Sequence, residues 1–192
     1  RLFTTAAFLT VAALLGEAPM AEAQQITTRA AAFDDADPVE FGPKGPRRYP
    51  VHGIDAARWQ GEIDWQRAAR NGVNFAFVKA TEGGDMLDPS FGDNWKGARR
   101  AGVLRGAYHF YYFCTPARTQ ARWFIRNVPK EAGALPPVLD MEWNHLSPTC
   151  TTRPPAREVR SQMQTFLDMV ERHYGQRTIV YTTPAFYDEN DL

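Results

Sequence analysis

The sequence lacks the features that mark a nucleic-acid-binding protein or a metalloprotein. Its 192 residues carry 22 Lys and Arg against 22 Asp and Glu. With no basic surplus and arginines spread along the chain, there is no stripe to neutralise a phosphate backbone. Cysteine is scarce: Cys114 and Cys150 are the only two, and the four histidines, His52, His109, His145 and His173, are scattered. None of these residues falls at metal-ligand spacing. No Gly-x-Gly-x-x-Gly follows the first strand-like run, which takes away the best sign of a dinucleotide fold. Nucleic acid, metal and cofactor are therefore not expected. The apolar run from Leu2 to Leu15 is also shorter than the roughly 20 residues of a bilayer span.

That run follows Arg1 and leads through Gly16 and Pro19 to Ala21-Glu22-Ala23 before Gln24. The pattern reads as an export signal over residues 1–23, with its cleavage site at the small-residue exit. A secreted or periplasmic protein follows, with no stable membrane insertion after cleavage. In that compartment Cys114 and Cys150 are expected to be bridged. Residues 24–50, rich in Ala, Asp, Pro and Gly without an apolar period, read as a flexible linker. The globular domain is expected over residues 51–192.

Within it a short apolar run followed by an amphipathic segment recurs five times. The runs are Val51 to Asp55, Asn74 to Thr81, Gly106 to Phe113, Pro137 to Trp143 and Thr178 to Thr182. Asp64 suits the start of the first helix and Gly72 its end, Asp88-Pro89 opens the second and Thr115-Pro116 the third. Val159, Met163, Phe166, Val170 and Tyr174 repeat along one face of the fourth and longest. Such alternation predicts an α/β fold of parallel strands covered by helices. Polar residues at the carboxyl end of every strand favour a TIM-like barrel over an open sheet. A complete barrel takes about 250 residues; about 140 follow the linker, so the barrel is expected to be truncated after the fifth strand.

The chemistry concentrates in LPPVLDMEWN. Alternation along a strand puts Val138, Asp140 and Glu142 on one face and Leu139 and Met141 on the other. Two carboxyl groups two residues apart, their Cα atoms roughly 6.6 Å apart, resist double ionisation, so one pKa rises. Glycoside hydrolysis needs a carboxylic acid still protonated near neutral pH beside a negative charge. The competing reading is structural: the pair forms salt bridges with Lys79 or an arginine, or the two are solvated strand-end residues.

Taken in order, HGIDAARWQGEIDW, FAFVKATEGGDMLDPSFGDNWKGARRAGVLRGAYHFY, QARWFI and LPPVLDMEW resemble the family-25 glycoside hydrolases, the Chalaropsis-type lysozymes or N-acetylmuramidases. The resemblance runs from about His52 to Tyr181. It implies an irregular (β/α)5(β)3 barrel acting on peptidoglycan glycan strands as a monomer. Glu142 would be the general acid, Asp140 its partner and Asp55 a further active-site carboxylate. Tyr108, Tyr111, Trp143, Lys79, Glu82 and Tyr181 would line the substrate cleft. For Tyr108 and Tyr111 core packing is equally open, and for Lys79 and Glu82 an ion pair that fixes the second loop. Trp143 is expected to desolvate Glu142, His109 to be a hydrogen-bonded strand residue, and Trp59, Trp65 and Trp95 to be packing residues. The bridge between Cys114 and Cys150 would pin the third and fourth loops beside the cleft. A non-catalytic cell-wall-binding or degenerate barrel and a chitinase-like glycosidase are the alternatives.

Overall fold

Five strands run parallel and in order through the centre of the domain. A computed structural model describes Gly45 and residues 48–192. The expected signal peptide, and the expected linker apart from Gly45 and residues 48–50, lie outside the described residues. The strands are β1 (His52–Ala56), β2 (Val73–Glu82), β4 (Leu104–Phe110), β5 (Val138–Asp140) and β6 (Ile179–Tyr181), paired β1-β2-β4-β5-β6. A two-residue strand, β3 (Met86–Leu87), pairs antiparallel with the end of β2. The sheet curls into a half-barrel, in keeping with the α/β architecture read from the strand-helix alternation.

Five helices accompany the strands. In α1 (Trp65–Arg70) the Asp64 carboxylate accepts the Arg67 N–H at 2.9 Å, and Gly72 turns the chain out at φ 97°. The second helix, α2 (Phe91–Arg100), starts later than Asp88-Pro89 suggested, with Ser90 at its cap. The reason lies in Asp88, whose two oxygens accept the N–H groups of Ser90 (2.9 Å) and Arg58 (3.0 Å), tying the second loop to the first. The third and fourth helices, α3 (Ala117–Asn127) and α4 (Ala156–Tyr174), fall where the periodicity placed them, and Gly175 closes α4 at φ 73°. A fifth, α5 (Pro184–Asn190), was not foreseen; the Thr183 hydroxyl accepts its Phe186 N–H at 3.2 Å.

The two faces of the sheet differ in kind. On the convex face Ala56, Val78, Ala107 and Leu139 are buried in one core cluster with Ala121 and Phe124 of α3 and Val159, Phe166 and Val170 of α4. Each fully buried large apolar side chain contributes about 1.5–3 kcal/mol. On the concave face Phe75, Phe77, Tyr108, Phe110 and Asp140 are only half-buried. Gly106 pairs with Phe77 there, and a Cβ on it would lie 2.6 Å from the Phe77 ring, so the ring's position requires glycine.

Candidate active site

Backbone register brings the acidic residues onto the concave face. Adjacent residues in neighbouring parallel strands share a face, so Glu82, Phe110, Asp140 and Tyr181 form one row across four strands. The row below holds Lys79, Tyr108, Val138 and Ile179, and the row below that holds Asp55, Phe77 and Gly106. Lys79 and Glu82 are three residues apart and in a regular strand would point to opposite faces. The register shifts between Lys79 and Thr81, so Ala80 is an extra residue on β2 and both side chains reach the concave face. The Asp88 N–H donates to the carbonyl of Ala80 at 2.9 Å.

Charge is unevenly compensated on this surface. The Lys79 ammonium pairs with one Glu82 oxygen at 2.6 Å and lies 5.0 Å from the centre of the Phe110 ring. The Tyr112 hydroxyl donates to the other Glu82 oxygen. Burial pushes Glu82 upward, but the hydrogen bonds from Lys79 and Tyr112 outweigh it and hold its pKa below the ordinary value. Asp140 has no such support. Among the described residues neither Asp140 nor Glu142 enters an ion pair, and Asp140 Oδ1 is buried without a hydrogen-bond partner. Burial, then the negative charge of Glu142, push Asp140 up to about 7; Asp55 adds to the rise and Lys79 opposes it. The rise expected for one member of the pair therefore falls on Asp140.

The aromatic candidates separate by strand parity. Tyr108 stands among the acids: burial and the charges of Asp55 and Asp140 raise its phenol. Tyr181 is 56% exposed, and burial with the charges of Glu142, Asp140 and Asp55 raises it as well. Tyr111 is 1% exposed and packs edge-on against Phe113 and Phe166, in the core and away from this face. The Trp143 ring lies 4.7 Å from both Phe113 and Phe186, and its indole N–H donates to Glu189 at 2.6 Å. Cys114 and Cys150 are bridged, with Cα atoms 5.7 Å apart, joining the loop after β4 to the loop after β5. Trp59, expected to pack, is 72% exposed beneath the Arg58 guanidinium at 4.3 Å, whereas Trp65 and Trp95 are buried. Among the described residues no group of three or more His, Cys, Asp or Glu is arranged to hold a metal ion.

Residues 54–192 match the profile of the glycosyl hydrolases family 25. The chain belongs to that family. The family-25 structure from Bacillus anthracis superposes with a TM-score of 0.70 at 41% identity, covering 74% of this chain and 64% of the other. The bacterial lysozyme of Streptomyces coelicolor gives a TM-score of 0.67 at 31% identity, covering 73% of this chain and 66% of that one. Lysozyme M1 of Streptomyces globisporus is 35% identical over 72% of this chain and 48% of its own length. The uncharacterized protein YegX of Escherichia coli K12 is 42% identical over 78% of this chain and 54% of its own length. The chain thus spans about half the length of the curated relatives it matches.

One residue behind this candidate site escaped sequence reasoning. Gln120, fully buried on α3, accepts the Tyr112 N–H at 2.9 Å and a His109 ring nitrogen at 3.0 Å, and donates to the carbonyls of Tyr112 (2.7 Å) and Thr115 (2.6 Å). It locks the loop that carries Tyr112 toward Glu82. The available signal was an amide inside the otherwise apolar stripe of QARWFI, at the spacing of Ala117, Ala121 and Phe124.

Proposed function

We propose that this family-25 protein is a lysozyme that hydrolyses the β-1,4 bond between N-acetylmuramic acid and N-acetylglucosamine in peptidoglycan. Glu142 is its general acid and Asp140 assists it. Relatives named lysozyme, and an N,O-diacetylmuramidase from a Chalaropsis species at 31% identity, support the substrate class. The observation that carries the reading is Asp140: a half-buried carboxyl that keeps its proton to about pH 7, two residues from Glu142, with an oxygen lacking any partner.

Near neutral pH the Asp140 carboxyl still holds its proton, raised by burial and then by the negative charge of Glu142. A bound sugar that donates an N–H or O–H to Asp140 Oδ1 stabilises the aspartate anion, and the proton passes to Glu142. Glu142 then protonates the leaving glycosidic oxygen as the bond breaks, the Asp140 anion faces the positive charge that develops on the ring, and water adds at that carbon, returning a proton to Glu142. Asp55, Tyr108, Tyr181, Lys79 and Glu82 line the cleft, Tyr108 and Tyr181 offering ring faces to the sugars. Trp143 acts from behind by anchoring the fourth loop.

In this reading the five strand-helix units belong to an irregular (β/α)5(β)3 barrel over residues 51–192. The export signal read over residues 1–23 fits action outside the cytoplasm, and in this reading the protein works as a monomer; among the described residues no helix is long and apolar enough to cross a membrane. The deciding experiment digests purified peptidoglycan and identifies the new reducing ends. Muramic acid ends that drop at least about 100-fold in Glu142→Gln support the reading, on the scale of a lost general acid. Glucosamine ends, or cleavage that survives in the variant, overturn it.

A further inference from the structure

The ion pair between Lys79 and Asp140 that the structural alternative allowed does not form, although both side chains share the concave face and Asp140 has an oxygen to spare. The Lys79 ammonium lies over the Phe110 ring, and Phe110 stands in its row between Glu82 on one side and Asp140 on the other. Strands are about 4.8 Å apart, so an ammonium above the middle strand has a carboxyl to either side. It goes to Glu82, at 2.6 Å, with both side chains largely buried. Two features fix that choice. The Ala80 bulge turns Glu82 onto the same face as Lys79, and the Tyr112 hydroxyl occupies the remaining Glu82 oxygen. Tyr112 is itself held by Gln120 at both its N–H and its carbonyl, two residues before the bridged Cys114.

We propose that Glu82, gripped by Tyr112, is a positioning residue that draws the Lys79 ammonium away from Asp140 and so leaves a carboxylic acid, rather than an ion pair, at the tip of β5. An ammonium that closed on Asp140 would strip its proton, because an opposite charge within about 4–6 Å favours the ionised form of a carboxyl. The acid pair would then enter catalysis without the proton it must deliver. This inference rests on the lysozyme reading for its catalytic meaning, while its physical content concerns only which carboxyl Lys79 meets. The other groups that face Asp140 are Asp55 from β1, Tyr108 from β4, Glu142 beyond β5 and Tyr181 from β6. None of them is a cation, so Lys79 is the charge whose placement decides the matter.

The test is a carboxyl-carbon NMR titration of Asp140, which requires no activity. In Glu82→Gln the released ammonium turns to Asp140, and the titration midpoint falls by roughly 1–3 units. Adding Lys79→Met to that variant removes the ammonium and returns the midpoint to the wild-type value or above. Tyr112→Phe leaves Glu82 charged but loosened, so it moves the midpoint the same way by less and serves if Glu82→Gln folds poorly. A midpoint that stays put or rises in Glu82→Gln overturns the proposal, as does a fall that Lys79→Met fails to reverse. Peptidoglycan digestion by the same variants is scored separately: loss of the lysozyme reading leaves the titration result standing, and failure of the titration leaves the lysozyme reading standing.

Discussion

The Thr81 hydroxyl and Nδ1 of His109 lie 2.8 Å apart on the buried side of the sheet, directly behind the row that carries Glu82 and Asp140. On the other side of the ring Nε2 meets the Gln120 side-chain oxygen at 3.0 Å, and Phe166 stacks on its face at 5.0 Å. An amide oxygen only accepts, so Nε2 carries the proton and Nδ1 accepts from Thr81. Burial pushes His109 down to about 4, against the raising effect of Gln120. The expected outcome is a neutral Nε2–H tautomer that does not titrate above about pH 5; ring nitrogen NMR shifts check it, and a midpoint near 6.5 would refute it.

The same shift makes stability depend on pH. The unfolded ring takes a proton near 6.5, whereas the folded ring refuses it until about 4. His109 therefore costs nothing above pH 6.5, and stability is lost as the pH falls from there toward 4, by up to about 3 kcal/mol. Urea unfolding of the Asp140→Asn variant at pH 7 and pH 4.5 measures the loss, because the opposing titration of Asp140 is absent there. Gln120→Met removes the acceptor for the ring and strands the Tyr112 N–H and carbonyl as well. That variant should lose about 2–4 kcal/mol at pH 7, the cost of several buried groups left unpaired.

Asp140 predicts the opposite sign. Its carboxyl keeps a proton to about pH 7 when folded, against the ordinary 3.8. As pH rises above 3.8 the unfolded chain releases a proton that the native state retains, so unfolding gains steadily until about pH 7, by at most about 4 kcal/mol. Asp140→Asn removes this liability. The variant should be more stable than the wild type at pH 8, with a margin that shrinks toward pH 4.5, while its hydrolysis of peptidoglycan collapses. Wild-type hydrolysis should decline above about pH 7 as Asp140 loses its proton. Urea curves for the two proteins across this range check the first claim, and equal stability at pH 8 would remove it.

Cys114 and Cys150 close a 36-residue separation between the third and fourth loops. The chain-entropy account assigns such a bridge about 4 kcal/mol. Replacing both with Ser should lower unfolding free energy by about 2–4 kcal/mol, read from urea curves with no reductant present. The wild type with reductant should match the variant, and the variant should be insensitive to reductant.

Much of this was legible in the chain. Leu139, Met141, Phe166 and Val170 follow simple periodicities, so element type and buried faces could be read from them, and Asp140 with Glu142 marked the acidic tip of β5. What could not be read depends on backbone irregularity and on contacts distant in sequence. Nothing in KATEG announces that Ala80 bulges, yet the bulge decides that Lys79 and Glu82 share a face. Tyr108 and Tyr111 differ only in parity, which the loop after β4 left open. Asp88 looked like a helix cap until Arg58, 30 residues earlier, claimed one of its oxygens.

Trp59 and Trp65 show how one motif divides between surface and core, which a stability measurement can verify. Both lie in HGIDAARWQGEIDW, and both were expected to pack. Trp65 is 5% exposed, donates its indole N–H to Asn94 at 3.1 Å and presses on Gly97, where a Cβ would come within 2.4 Å of its ring. Trp59 stands 72% exposed on the short 3-10 turn Arg58–Gln60, held from behind because the Ala57 N–H donates to the Gln60 side chain at 2.8 Å. Truncating Trp65 to Ala empties a core site and should cost about 3–5 kcal/mol. Truncating Trp59 leaves the turn's hydrogen bonds in place and should stay within about 0.5 kcal/mol of wild type, as surface substitutions do. Urea unfolding of the two variants decides it, and equal losses would mean that the first loop packs far more tightly than this geometry allows.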